Sequence, residues 1–214
     1  MERRHVAPTR RDFLTNSAAT LAAIGVGPSR VMPLPQDDAS IRELALLALD
    51  AAKTAGASYA DVRVSRTRAQ SVATREDRVT NLSDSDTMGF GLRVLVNGAW
   101  GFAASRDLSR TEVQRVARVA AAQARANRRV MQRPVVLAPS TPVPDGRWAS
   151  PARIDPFTVP IEDKAALLLS ANAEALKVRG ARFVNSSMFF LKDERTYANT
   201  DGSYTIQTLI RSNP

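Results

Sequence analysis

The sequence predicts an α+β protein in which antiparallel β-meanders pack with helices, and three observations lead to this prediction. Apolar and polar residues alternate over Val62–Val64 and over Phe90–Val96, as is typical of half-buried strands. Asn97-Gly98 follows and favours a tight type I′ hairpin, because both residues tolerate positive φ; the chain then returns through Trp100-Gly101-Phe102. A segment of helical periodicity precedes each of two meanders, so the order helix-then-meander occurs twice.

Composition narrows the kinds of protein that this chain can be. With 214 residues, of which 44% are hydrophobic, it can hold one or two ordinary domains. It has no cysteine, which excludes disulfides and thiolate metal sites, and its only histidine is His5. The net charge of +9 indicates either an anionic partner, such as nucleic acid or a membrane surface, or an arginine-rich solvated surface.

The N-terminus has the pattern of an export signal. Arg10-Arg11 lie one residue before Phe13-Leu14, and a weakly apolar stretch follows. This is typical of a twin-arginine signal; a short amphipathic helix is the alternative. Residues 1–38 are therefore interpreted as a signal segment and spacer, and we expect a protein exported by the twin-arginine route to the periplasm or beyond.

Residues 39–132 are predicted to form a first α+β domain. Ser40–Glu43 and Ser109–Glu112 have the spacing of capping boxes, and they predict helices that run to about Ala55 and Asn127. Glu76-Asp77 mark a predicted turn. The predicted strands between the helices are Tyr59–Ser65, Gln70–Thr74, Arg78–Leu82, Phe90–Val96 and Ala99–Ala104.

The remaining chain is predicted to form a crossover and a second helix-and-strand unit. Residues 133–160 are rich in proline, which favours an extended crossover over a packed element. Residues 161–214 then contain a helix that begins after Pro160, followed by antiparallel strands. Those strands and their turns are predicted at Phe183–Leu191, Lys192-Asp193, Glu194–Asn199, Asp201-Gly202 and Tyr204–Arg211.

No set of residues in the sequence points to a complete catalytic or metal site. A serine triad needs a histidine base, and a zinc site normally needs histidine or cysteine, whereas His5 belongs to the predicted signal. Asp193-Glu194 are interpreted as solvated residues on a turn. A stripe of arginines is interpreted as a solvated helix face, because no aromatic residues interleave with it: Arg115, Arg118, Arg125 and Arg129.

Several segments together resemble the TldD/PmbA family over residues 39–214. The segments similar to its N-terminal domain are Tyr59–Arg63, Glu76–Val79, Gly89–Val94 and Gly98–Ala103, and Pro160–Lys164 and Asn199–Ser203 resemble later parts. The resemblance implies a zinc metallopeptidase that degrades unfolded peptides and matures peptide natural products. It also implies dimers, often of one metal-bearing and one metal-free subunit.

The sequence departs from this family at the metal site. The resemblance implies that a His-Glu-x-x-x-His helix would begin shortly after Arg211, but the sequence given ends at Pro214, so no catalytic or zinc-binding residue is carried over. We therefore expect the N-terminal portion of such a peptidase, inactive alone and joined by a dimer partner or a C-terminal half. The alternatives are a non-catalytic peptide-binding or dimerisation module with strand-accepting sheet edges, and a basic nucleic-acid binder.

Overall fold

Six strands form one sheet in the computed structural model, which describes residues 38–213. The strands are β1 (Tyr59–Arg75), β2 (Arg78–Val96), β3 (Ala99–Ser105), β4 (Gly146–Ala149), β5 (Asn185–Asn199) and β6 (Tyr204–Asn213). The helices in this part of the chain are α1 (Asp38–Thr54), α2 (Arg110–Arg128) and α3 (Ile161–Leu176). The α+β prediction is confirmed. The twin-arginine residues Arg10, Arg11, Phe13 and Leu14 lie outside the described residues.

The sheet has the order β3-β2-β1-β5-β6-β4, which places β1 between β2 and β5. Every neighbouring pair is antiparallel except β4 and β6, which are parallel. Residues 39–132 and 161–213 therefore contribute strands to one continuous sheet. The limits at 132 and 160 stay predictions as domain boundaries.

β1 and β2 are longer than predicted, which corrects the division of this region into shorter strands. β1 has 17 residues and β2 has 19, and the predicted turn at Glu76-Asp77 joins them. The polar stretch Ser83–Asp86 stays extended because β1 pairs with every residue of it, so strand pairing overrides the missing apolar alternation. Near the turn, Asn81 faces Ala73 and Val79 faces Thr74, which leaves Thr80 as a β-bulge.

β5 is also continuous, so the predicted turn at Lys192-Asp193 is wrong. Both residues lie in register with β1, where Asp193 faces Thr67. The Thr67 hydroxyl donates a hydrogen bond of 2.7 Å to the carboxylate of Asp193, which is buried. The interpretation of Asp193 as a solvated turn residue is therefore corrected, because cross-strand pairing encloses its side chain.

The proline-rich segment contains packed structure, which corrects its prediction as an extended crossover alone. Gly146–Ala149, which contains no proline, forms β4 and pairs with Thr205–Thr208 of β6. Pro156–Thr158 forms a short 3₁₀ helix. Asp155 caps its N-terminus, because the Asp155 side chain accepts a hydrogen bond of 2.9 Å from the Phe157 N–H. Pro156 itself is buried.

The helix starts were predicted with mixed success. α1 begins at Asp38, so Ser40 lies inside the helix and does not cap it. Ser109 does cap α2, because its hydroxyl accepts a hydrogen bond from the Glu112 N–H at 3.3 Å. The second hydrogen bond of a capping box, from the Ser109 N–H to the Glu112 carboxylate, is not formed. The Glu112 carboxylate instead accepts two hydrogen bonds of 2.7 Å from Arg115.

All three described helices pack on the same face of the sheet. α1 and α2 cover the half that contains the fully buried Val62, Leu92 and Val94. α3 covers the other half, where Ala165 and Leu168 pack with Val72 of β1. No described helix lies on the opposite face, which we call the open face.

The hairpin between β2 and β3 positions α2 on the sheet. Asn97 and Gly98 have φ of 51° and 77°, the positive values that a type I′ turn requires, so this prediction is confirmed. Beyond the turn, Gly101 lies directly beneath α2. A Cβ atom at Gly101 would lie 2.0 Å from the Ala120 carbonyl oxygen, so only glycine allows this close approach.

We expect Gly101→Ala to lower the free energy of unfolding by at least about 2 kcal/mol, because α2 must move away from β3. Ala104→Ser is the matched control, since Ala104 is exposed on the open face of the same strand, and it should change stability by at most about 0.5 kcal/mol. Urea denaturation followed by circular dichroism measures both. Equal stability of the two variants would contradict the close packing of Gly101.

Candidate functional site

One edge of the sheet is unpaired along part of β2. β3 pairs only with Phe90–Val96, so Arg78–Gly89 has no outer neighbour among the described strands. Val79 and Leu82 are exposed in this segment. We call Arg78–Gly89 the β2 edge. A backbone edge of this kind can accept an extended polypeptide as an added strand.

Side chains of β1 hold the β2 edge in register. Arg66 donates two hydrogen bonds to Asp86, at 2.9 and 2.6 Å, and Gln70 donates one of 2.9 Å to Asp84. The hydrogen bond from Arg66 holds the pKa of Asp86 below its ordinary value. These cross-strand contacts leave the unpaired backbone of β2 fixed in an extended conformation.

A buried carboxylate organises the open face of the sheet. Asp61 is only 1% exposed, although the alternation of β1 directs it away from the helices. Arg93, directly opposite on β2, contacts one Asp61 carboxylate oxygen through Nε at 2.8 Å and through a terminal nitrogen at 2.7 Å. Arg63 lies 3.3 Å from the other oxygen. One buried acid therefore holds two arginines.

Aromatic rings hold the same two arginines from another side. The Arg93 guanidinium lies 4.5 Å from the centre of the Trp100 ring, and that of Arg63 lies 5.4 Å from the centre of the Tyr197 ring. Tyr59 joins the two rings: it meets Trp100 edge to face with centroids 5.8 Å apart, and its hydroxyl lies 3.2 Å from that of Tyr197. Burial raises the pKa of Tyr197 to about 12, so its phenol stays neutral at ordinary pH.

A groove of about 510 Å³ adjoins this cluster on the open face, between β1 and the end of β3. Its lining includes Gly89 and Gly91, whose missing side chains allow neighbouring groups to approach the backbone closely. The Phe102 ring lies over Gly91, since a Cβ there would be 2.9 Å from the ring, and the Arg106 side chain lies 3.7 Å from the corresponding position at Gly89. Arg63 lines the groove as well.

A second polar cluster is enclosed between α3 and the sheet. The buried Lys164 donates to the Gln70 side chain, and its ammonium lies 4.4 Å from the centre of the Phe190 ring. Burial lowers the pKa of Lys164. Asn172, also buried, donates hydrogen bonds of 3.0 Å to Thr74 and to a backbone carbonyl of the β1–β2 turn. These contacts fix α3 on the sheet.

The structure separates the hairpin residues that the sequence predicted together. Trp100 and Phe102 lie on the open face, whereas Gly101 lies beneath α2. Asn97 and Gly98 form the turn at the end of the sheet. The hairpin therefore contributes its aromatic side chains to one surface and its close backbone approach to the other.

The four arginines of the predicted stripe are all exposed. Arg118 and Arg125 line a groove of about 570 Å³ beside α1. Arg125 donates a hydrogen bond of 3.0 Å to the carbonyl of Ala55, just beyond the end of α1, and Arg115 pairs with Glu112. The interpretation of these arginines as a solvated face is confirmed by their exposure, and Arg115 and Arg125 make their contacts at the surface.

The described residues do not fit a zinc ion. Residues 38–213 include no histidine or cysteine, and they bring together no group of three or more side chains that could hold a metal ion.

The same residues contain no helix with the length and apolar character that crossing a membrane requires.

Sequence reasoning missed the cluster around Asp61. The available signal was the placement of Asp61 and Arg63 at alternate positions of a strand that is otherwise rich in valine. A carboxylate there must be paired if the strand is buried. Arg93, which pairs with Asp61, and Tyr197, which lies against Arg63, are far away in the sequence, so they could be identified only once the strand register was known.

We expect Arg93→Gln to lower the free energy of unfolding by about 3 kcal/mol, because it leaves the buried Asp61 carboxylate with a weaker partner. Arg78→Gln is the control: Arg78 pairs with Asp77 at 3.5 Å, but both side chains are more than four-fifths exposed, so the loss should stay below about 1 kcal/mol. Chemical denaturation measures both. Small, equal losses would contradict the organising role of Asp61.

Solved structures share this fold. One is a putative modulator of DNA gyrase from Bacteroides thetaiotaomicron, with 20% identity and a TM-score of 0.61, and the match covers 80% of this chain and 39% of that one. TldE from Thermococcus kodakarensis has 14% identity and a TM-score of 0.60, covering 81% and 37%. A putative modulator of a DNA gyrase from Thermotoga maritima has 14% identity and a TM-score of 0.63, covering 80% and 38%. The class of protein is thus an α+β domain shared with considerably longer chains.

A sequence match to a known family covers part of the first α+β region. Residues 60–124 match the model described as PmbA/TldA metallopeptidase domain 1. A metalloprotease of Methanocaldococcus jannaschii is 22% identical over 147 residues, which cover 68% of this chain and 32% of that protein. Residues 60–124 therefore match the first domain of the TldD/PmbA metallopeptidase family, and the chain spans between about a third and two fifths of the length of these relatives.

Proposed function

We propose that this chain is the N-terminal portion of a TldD/PmbA-like zinc metallopeptidase that acts on unfolded peptides, and that it hydrolyses no peptide alone. The family match carries the first half of this proposal. The side chains available as zinc ligands support the proposal that the chain hydrolyses no peptide alone. The sequence has no cysteine, and its only histidine, His5, belongs to the proposed twin-arginine signal. A catalytic zinc ion would then be held by residues outside this sequence.

The role that we assign to these residues is to hold the peptide in an extended conformation. The unpaired β2 edge supports this role, since it offers backbone donors and acceptors over Arg78–Gly89. The same observation favours the second candidate function, a non-catalytic peptide-binding or dimerisation module. The two candidates differ in whether a metal-bearing portion acts on the bound peptide.

Export and assembly complete the proposal. The Arg10-Arg11 motif supports export by the twin-arginine route to the periplasm or beyond. The structural likeness to TldE supports a partner of the same family. Net charge alone supports a nucleic-acid partner, so we do not propose one.

We expect the purified 214-residue chain to cleave no unstructured fluorogenic peptide, with or without added zinc, because it lacks imidazole and thiolate ligands outside its signal segment. The measurement is release of the fluorophore over time, with a complete metal-bearing family member as the positive control. Turnover that co-purifies with the chain, disappears on zinc removal and returns with zinc would overturn the proposal.

We expect a bound extended peptide to slow amide hydrogen exchange in Arg78–Gly89, because strand addition pairs the free backbone of the β2 edge. Val113–Ala124 of α2 serves as the internal control, since these amides already lie in a helix. The same peptide with alternate backbone nitrogens methylated should give no protection. Binding without protection of the β2 edge would refute strand addition there.

A further inference from the structure

We propose that the open face binds acidic, extended polypeptide segments, with ligand carboxylates on the arginines around Asp61 and an apolar ligand side chain in the adjoining groove. This inference deepens the proposed function, because it assigns a chemical class to the peptide. Three features of the open face carry it: its charge, the fixed positions of its arginines, and the apolar groove beside them.

The exposed charge on the open face is cationic. The side chains of Arg63, Arg93 and Arg195 are 53%, 41% and 56% exposed, whereas their carboxylate partners Asp61 and Asp193 are 1% and 10% exposed. Both acids already pair with these arginines, so they offer little negative charge to a ligand. A polypeptide that contacts this face therefore meets guanidinium groups, which complement carboxylates.

The arginines are held in place before any ligand arrives. Arg93 uses Nε and one terminal nitrogen on Asp61 and lies on Trp100, which leaves its other terminal nitrogen without a carboxylate partner among the described residues. Arg63 is held more loosely, by an ion pair of 3.3 Å with Asp61 that is not a hydrogen bond and by the Tyr197 ring. Side chains that are already ordered lose less conformational entropy on binding, so a carboxylate gains more from each contact.

The groove supplies an apolar contact beside these charges. The Phe102 ring lies over Gly91 and lines the groove with an apolar surface, and the residue is 55% exposed. Arg106, at the far side near Gly89, has no carboxylate partner in residues 38–213. A ligand that alternates acidic and apolar side chains would therefore match both parts of the open face.

The arrangement favours a polypeptide over a single-stranded nucleic acid. Proteins that bind single strands without sequence preference stack bases on free aromatic faces. Here Arg93 covers one face of Trp100 and Arg63 covers one face of Tyr197, so a base that stacked on those faces would have to displace a guanidinium. Carboxylates need no such displacement.

The test compares two labelled peptides by fluorescence anisotropy on the full chain, one alternating Glu with Leu and the other alternating Gln with Leu. We expect the Glu peptide to bind at least about tenfold more tightly. The double variant Arg63→Gln with Arg195→Gln should remove about tenfold of that affinity. The control, Arg110→Gln with Arg118→Gln, removes the same charge from α2 on the helical side and should change affinity less than about twofold. Thermal melts verify that each variant folds.

Three results would overturn the proposal. Equal binding of the Glu and Gln peptides would show that carboxylates are not recognised. An equal loss in the control variant would show that only net charge matters. Displacement of the Glu peptide by a tighter-binding oligothymidine would assign the face to nucleic acid. None of these results affects the hydrolysis assay or the exchange of the β2 edge, so failure here is distinguishable from failure of the proposed function.

Discussion

The pairing of β1 on both sides is the constraint on which the rest of the structure depends. β2 lies along one side over Tyr59–Arg75, and β5 lies along the other over Asp61–Arg75. This double pairing brings the second helix-and-strand unit into the same sheet as the first. It also directs Asp61 toward the open face and Val62 toward the helices, because adjacent side chains of a strand point to opposite faces.

Local signals in the sequence were sufficient for the parts of the fold that depend on neighbouring residues. Asn97-Gly98 predicts its turn because the requirement for positive φ is a property of those two residues. The apolar face of α2 also depends on neighbouring residues, because helical spacing places these buried residues on one side: Val113, Val116, Ala117, Ala120 and Ala124. Helical periodicity therefore identified which side of α2 packs on the sheet.

What could not be predicted depends on pairing between distant segments. The polar stretch Ser83–Asp86 and the Lys192-Asp193 pair resemble turns in isolation, and they are strands only because β1 lies beside them. The burial of Lys164 depends on Gln70, which lies far away in the sequence. The cluster around Asp61 was missed for the same reason.

The two faces of the sheet differ in chemistry. The helical face holds the apolar core, and its enclosed polar groups, such as Lys164 and Asn172, are satisfied by β1. The open face exposes arginines and aromatic rings instead. The β2 edge lies between these faces, so a peptide added there would extend the sheet and present alternate side chains to each of them.

The long separation between β1 and β5 has a consequence for the order in which the chain folds. β1 and β2 form a hairpin from adjacent residues, whereas Asp61 can pair with Asn199 only after the ribosome has made the long segment between them. Contacts this distant slow folding, because a long loop must close before they form. During synthesis the β1–β2 hairpin therefore exposes the edge of β1 on which β5 pairs later. A chaperone that covered this edge until β5 is made would prevent it from pairing with another chain.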